Sequence, residues 1–125
     1  MIYEKLDGYL RKPYYNAPIT SGRRSVHEAI KAQLYVLGFR EHYLSVLEAS
    51  VQEGRIDCLF IRNDQPVCAI EIDYGIRKRS LRKLISLSSS VEKIIVSYGP
   101  SSVWYRARSR NKVFLPGIQL FLLKS

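Results

Sequence analysis

From Ser25 the apolar positions Val26, Ala29, Ile30, Leu34 and Leu37 recur at the spacing of one helical face, and Gly38 suits a stop. This pattern predicts a helix over 25–37. Upstream, Met1 to Gly22 mixes Tyr3, Tyr9, Tyr14 and Tyr15 with Pro13 and Pro18 and shows no sustained period, which reads as an irregular arm or a short helix. Residues 42–51 fit either helix or strand, and Val46 and Val51 favour a strand slightly. Arg55 to Arg62 and Pro66 to Asp73 read as an antiparallel hairpin joined by a three-residue turn, Asn63-Asp64-Gln65. Arg77 to Ser88 follows as a helix with Leu81, Leu84, Ile85 and Ser88 inward, then Lys93 to Tyr98 as a strand ended by Gly99-Pro100. A strand, helix, strand run requires a parallel crossover. Trp104 to Val113 alternates Arg106, Arg108, Arg110 and Lys112, and Gly117 to Leu123 is a final apolar strand. The elements predict an α/β class with a central mixed sheet flanked by helices, one domain over 1–125 with residues 1–22 as an N-terminal arm.

Composition narrows the class of protein. A chain of 125 residues holds one core, and 46% hydrophobic residues exclude a disordered chain. No apolar run is long enough to cross a bilayer, and Met1-Ile2-Tyr3-Glu4-Lys5 lacks the apolar stretch of a signal peptide, so a soluble cytoplasmic protein without a membrane partner is expected. Cys58 and Cys68 have neither CxxC spacing nor accompanying histidines and read as buried thiols. The net charge of +9 is unevenly spread: residues 1–62 hold 9 basic and 7 acidic side chains, residues 63–125 hold 11 and 4. A local basic excess points to a polyanion, most commonly nucleic acid.

The hairpin carries the chemistry. With the turn centred on Asp64, opposed residues have numbers summing to 128, so Asp57 faces Glu71 and Arg55 faces Asp73. Period two then places Arg55, Asp57, Leu59, Ile61, Val67, Ala69, Glu71 and Asp73 on one side, with Ile56, Cys58, Phe60, Cys68, Ile70 and Ile72 on the other. Apolar residues on both sides place the hairpin inside a sheet covered on both faces. Three carboxylates at one end of one face repel unless a cation meets them. Either Arg55 and other basic residues pair with them, or Asp57 and Glu71 hold Mg²⁺, which takes one or two carboxylates and completes its shell with water and phosphate.

The helix opening at Ser21-Gly22-Arg23-Arg24 and closing on Gly38-Phe39, then Arg55-Ile56-Asp57, then Ala69-Ile70-Glu71-Ile72-Asp73, then a helix and a strand, form an ordered set over about residues 20–98. On these residues the chain resembles the PD-(D/E)xK nuclease superfamily, which includes restriction enzymes, Holliday-junction resolvases and very-short-patch repair endonucleases. The resemblance implies a restriction-endonuclease-like sheet and a Mg²⁺- or Mn²⁺-dependent endonuclease acting on DNA. It implies that Asp57 and Glu71 are metal ligands, that the Ile72 carbonyl joins them, and that Asp73 stands where most members have a lysine that helps position or activate the attacking water. Two routes around that departure are open. Some branches read Ile-Glu-x-Asp-Gly here, so Asp73 itself takes a catalytic role, and others supply the lysine from the following helix. On a helical wheel of about 100° per residue, Lys78 lies close to the inward face and Lys83 roughly opposite, which favours Lys78.

The family also has an acid in the first helix. Glu28 is the candidate, with His27 the alternative when spacing is counted from Gly38-Phe39; Ser25-Val26-His27-Glu28 is equally a capping-box pattern in which Glu28 bonds backbone. For DNA phosphates the candidates are Arg23, Arg24, Arg77, Lys78, Arg79, Arg82, Lys83, Arg106, Arg108, Arg110 and Lys112, with Trp104 and Tyr105 available for stacking. The competing expectations are a catalytically inactive nucleic-acid-binding module and a subunit that completes its site with a partner; a resolvase-like task would favour a homodimer.

Overall fold

The computed structural model describes residues 1–11, 22–100 and 117–123, except the side chains of residues 22 and 23. Among the described residues one sheet holds five strands in the order β1 (Leu44–Val51), β2 (Gly54–Arg62), β3 (Gln65–Asp73), β4 (Glu92–Ser97) and β5 (Ile118–Leu122). β1, β2 and β3 pair antiparallel, and β3, β4 and β5 pair parallel. Two short helical turns, Tyr3–Lys5 and α1 (Leu6–Tyr9), precede the long α2 (Gly22–Arg40), and α3 (Lys78–Ile85) makes the crossover from β3 to β4. The mixed, helix-flanked α/β sheet read from the pattern is the architecture observed. The basic alternation from Trp104 to Val113, with Arg106, Arg108, Arg110 and Lys112, lies outside the described residues.

Two apolar clusters cover the sheet. Ile30, Leu34 and Leu37 of α2 and Ile2, Leu6 and Leu10 of the arm pack with Cys58, Phe60, Cys68, Ile70, Ile72, Ile94 and Val96. On the other face Leu81 and Leu84 of α3 pack with Ile56, Ala69, Ile95 and Ile118. β3 and β4 are buried on both faces, as their near-continuous apolar sequences require. Ile2, Leu6 and Leu10 recur every four residues, a helical stripe that tyrosines and glycine obscured in the sequence. The Glu92 carboxylate accepts hydrogen bonds from the Ile2 and Tyr3 backbone N–H groups, both at 3.0 Å, and ties the arm to the start of β4.

Several boundaries differ from the sequence expectation. α2 runs past both ends of 25–37, so Ser25 lies inside the helix and the Ser25–Glu28 capping box has no helix start to serve. Gly38 does not stop α2. His42, with φ of 65°, does so, and Tyr43 N–H donates back to the Gly38 carbonyl at 2.8 Å, closing a Schellman-type end. Gly38 is needed for another reason: a Cβ there would abut Ser45 Oγ and lie 2.8 Å from Phe60 Cε1, so its absence lets α2 approach the sheet. The β2–β3 turn is two residues, Asn63 and Asp64, both at positive φ, and a register shift between Phe60 and Ile61 takes up the difference from a three-residue turn. From Phe60 toward the open end the pairs sum to 128 as expected.

The two-sided division of β2 fails at one place. Strict alternation puts Ile56 with Cys58 and Phe60, yet Ile56 joins the α3 cluster while the other two join the α2 cluster. The break falls at Asp57. Its neighbour across the β1–β2 ladder is Glu48, which has φ of 53° and is skipped in the pairing from Leu44–Ile61 to Val51–Gly54. A left-handed residue in β1 rotates the end of the β1–β2 ribbon and frees Asp57 from the regular pleat.

Candidate functional site

Asp57 and Glu71 come together on neighbouring strands, and Asp73 follows two residues on at the C-terminal end of β3. All three are buried, Glu71 completely and Asp57 at 8% exposure. Each has its own basic neighbour, though none is Arg55, which is exposed: the β2–β3 ladder ends at Cys58–Ile70, short of an Arg55–Asp73 pair.

Asp57 Oδ2 accepts a 2.7 Å hydrogen bond from the Ile72 backbone N–H, and His27 Nε2 from α2 stands 3.4 Å away. Burial pushes the Asp57 carboxyl up, but the His27 and Ile72 hydrogen bonds outweigh it and hold the group below its ordinary value. The same contact with Asp57 raises His27 above its ordinary value against the opposing effect of burial.

Glu71 is the least satisfied member. Lys83 Nζ lies 2.9 Å from Oε1 as an ion pair and also donates to the Arg55 carbonyl at 2.7 Å. Lys83 apart, neither oxygen of an ionised Glu71 has a hydrogen-bond partner among the described residues. Burial, and then the charge of Asp57, pushes Glu71 up to about 8, with Lys83 opposing. Protonated Glu71 donates to Asp57, which raises the first and lowers the second.

Asp73 is fully engaged. Oδ1 accepts from Arg77 Nε at 3.1 Å and Ser80 Oγ at 2.9 Å, with Arg77 Nη2 at 3.0 Å, and Oδ2 accepts from the Arg77 backbone N–H at 3.2 Å. It organises the β3–α3 turn.

The wheel expectation for α3 is corrected. Lys83 is 8% exposed and meets Glu71, whereas Lys78 is exposed at the first residue of the helix and makes no ion pair among the described residues. The inward face is Ser80, Leu81, Lys83 and Leu84, and the expected inward Ile85 and Ser88 are exposed. The reason lies in Ser80: its bond to Asp73 turns the helix so that position 83, about 60° from 80 on the wheel, points at the sheet. A small residue at 80 was the signal available in the sequence.

Glu28 is exposed and pairs with Lys31 at 3.2 Å, outside the carboxylate cluster, while its neighbour His27 enters it. Lys31 itself is anchored to Glu48 at 2.9 Å. Of the phosphate candidates, Arg24, Arg77, Lys78, Arg79 and Arg82 are exposed, and the Arg23 side chain lies outside the description. Burial raises the Cys58 thiol to about 12 and Cys68 well above its ordinary value, consistent with inert core thiols.

Among the described residues no group of three or more His, Cys, Asp or Glu side chains is placed to hold a metal ion, and no helix is long and apolar enough to cross a membrane. Compared with protein-family models, with curated proteins and with solved structures, the chain matches none.

Proposed function

We propose that the protein is a restriction-endonuclease-like, Mg²⁺- or Mn²⁺-dependent hydrolase of DNA phosphodiester bonds, of the PD-(D/E)xK kind, centred on Asp57 and Glu71. The observation that carries the reading is Glu71: a fully buried carboxyl set beside a second carboxyl, with Lys83 at 2.9 Å as the one cation it meets among the described residues. Such a group is costly unless a ligand repays it. The donor set fits a hard divalent cation, which takes two carboxylates and fills its remaining positions with water and substrate phosphate.

When bound, such an ion activates water for attack and offsets charge on the phosphoryl group. The chain's own residues supply the rest. Ile72 N–H and His27 fix the Asp57 carboxylate, so its oxygen is presented in one orientation. Lys83, from the helix after the motif strand, takes the part of the migrated lysine: its ammonium lies beside Glu71 and is held by the Arg55 carbonyl. Exposed Arg24, Arg79 and Arg82 offer charge for the flanking DNA backbone.

A non-catalytic DNA-binding module is the second reading, favoured by the same ion pairs: each acid already has a basic neighbour. Incubation of supercoiled, linear and four-way-junction DNA with Mg²⁺ or Mn²⁺ separates the two. Nicking lost in Asp57→Ala and Glu71→Ala, with folding and DNA affinity retained, supports the enzyme. Binding without cleavage of any of these substrates supports the module.

A further inference from the structure

Asp73 stands where the resembled family has a lysine, and its carboxylate is wholly occupied in holding one arginine and one serine. The arginine is not consumed by this contact. Arg77 presents its Nε and Nη2 edge to Asp73, while its side chain remains 60% exposed and Nη1 has no partner among the described residues. Asp73 lies two residues beyond Glu71 on β3, so period two brings Arg77 over the same face of the sheet as Glu71. The charges of Glu71 and Asp57 act on Arg77 as well as that of Asp73.

We infer that Asp73 and Arg77 form a phosphate clamp at the mouth of the carboxylate site: Arg77 binds a DNA backbone phosphate through its free guanidinium edge, and Asp73 is the positioning residue that aims it. The inference deepens the nuclease reading and rests on it for the identity of the polyanion. A guanidinium braced along one edge is oriented before the phosphate arrives, which lowers the ordering cost of the contact. Ser80 completes the brace, since its hydroxyl fixes the Asp73 oxygen that Arg77 also uses.

The test is duplex-DNA affinity measured across a salt series, in metal-free buffer, for the wild type, Arg77→Ala, Asp73→Asn and the double variant. Thermal melting accompanies each to confirm a folded protein. Arg77→Ala should weaken binding about tenfold at low salt, the loss of one charge-assisted contact, and flatten the salt slope by about 0.9. Asp73→Asn should also weaken binding, and the double variant should match Arg77→Ala alone. The sign at Asp73 is diagnostic, because removing an acid near DNA otherwise tightens binding. Tighter binding by Asp73→Asn, additive losses, or an unchanged slope in Arg77→Ala overturns the clamp even where the protein cuts DNA. An Arg77-dependent slope with non-additive losses upholds the clamp even where no DNA is cut, and the enzyme reading then fails alone. A wild type that does not bind DNA overturns both.

Discussion

Replacing Glu71 by glutamine should stabilise the protein while removing the function proposed for it. The side chain keeps its shape, and the change removes only the ability to carry charge. In the unfolded chain the carboxyl ionises near 4.5, but in the folded protein burial and Asp57 push it up to about 8. The folded state therefore holds a proton that the unfolded state releases, and wild-type stability falls as pH rises from about 4.5 to about 8. Near pH 7 the difference is about 2.5 pH units, or about 3 kcal/mol, which Gln does not incur. Lys83 loses little in the exchange, because at that pH Glu71 is already largely neutral and the Arg55 carbonyl still accepts from Nζ. Urea unfolding of the two proteins from about pH 4.5 to about pH 8 measures the gain, which should shrink below about 1 kcal/mol at the acid end. Added Mg²⁺ should stabilise the wild type and not Glu71→Gln, by mass action on the folded state. A variant less stable than wild type near neutrality, or a difference that ignores pH, would refute the reasoning.

Other outcomes follow from the same structure. Gly38→Ala should cost about 1–3 kcal/mol in urea unfolding, because its Cβ would press on Phe60 and Ser45. The His27 imidazole should titrate above its ordinary 6.5 by NMR and return toward it in Asp57→Asn; its ion pair stabilises the fold at low pH and is lost as pH rises through the folded value. The Asp57 contribution has the opposite sign, being present above its ordinary 3.8 and lost as pH falls toward the depressed folded value. Cys58 and Cys68 should resist a thiol reagent in the native protein and react only on unfolding; fast labelling of either in the native state would contradict their burial.

Local pattern was enough for much of this fold. Alternation and turn residues were enough to place the β2–β3 hairpin, and the expected register holds from Phe60 to Cys58 because the shift at Phe60–Ile61 offsets a turn one residue shorter than expected; Asp57 and Glu71 lie just beyond the last paired residues, Cys58 and Ile70. The helix before the hairpin, the parallel crossover after it and the covered, apolar β3 and β4 were legible for the same reason. What counting missed were matters settled between elements. The face on which Ile56 lies depends on the left-handed Glu48 in a different strand. Whether Lys78 or Lys83 reaches Glu71 depends on how Ser80 docks α3 on Asp73, and a wheel drawn from the helix alone has no origin for its angles. Gly38 reads locally as a helix stop, yet its role is a close approach to Phe60 that exists only once α2 lies on the sheet. The protonation of Glu71 is decided last, since a carboxyl's ordinary value belongs to water, and only the assembled sheet removes that water and sets Asp57 beside it.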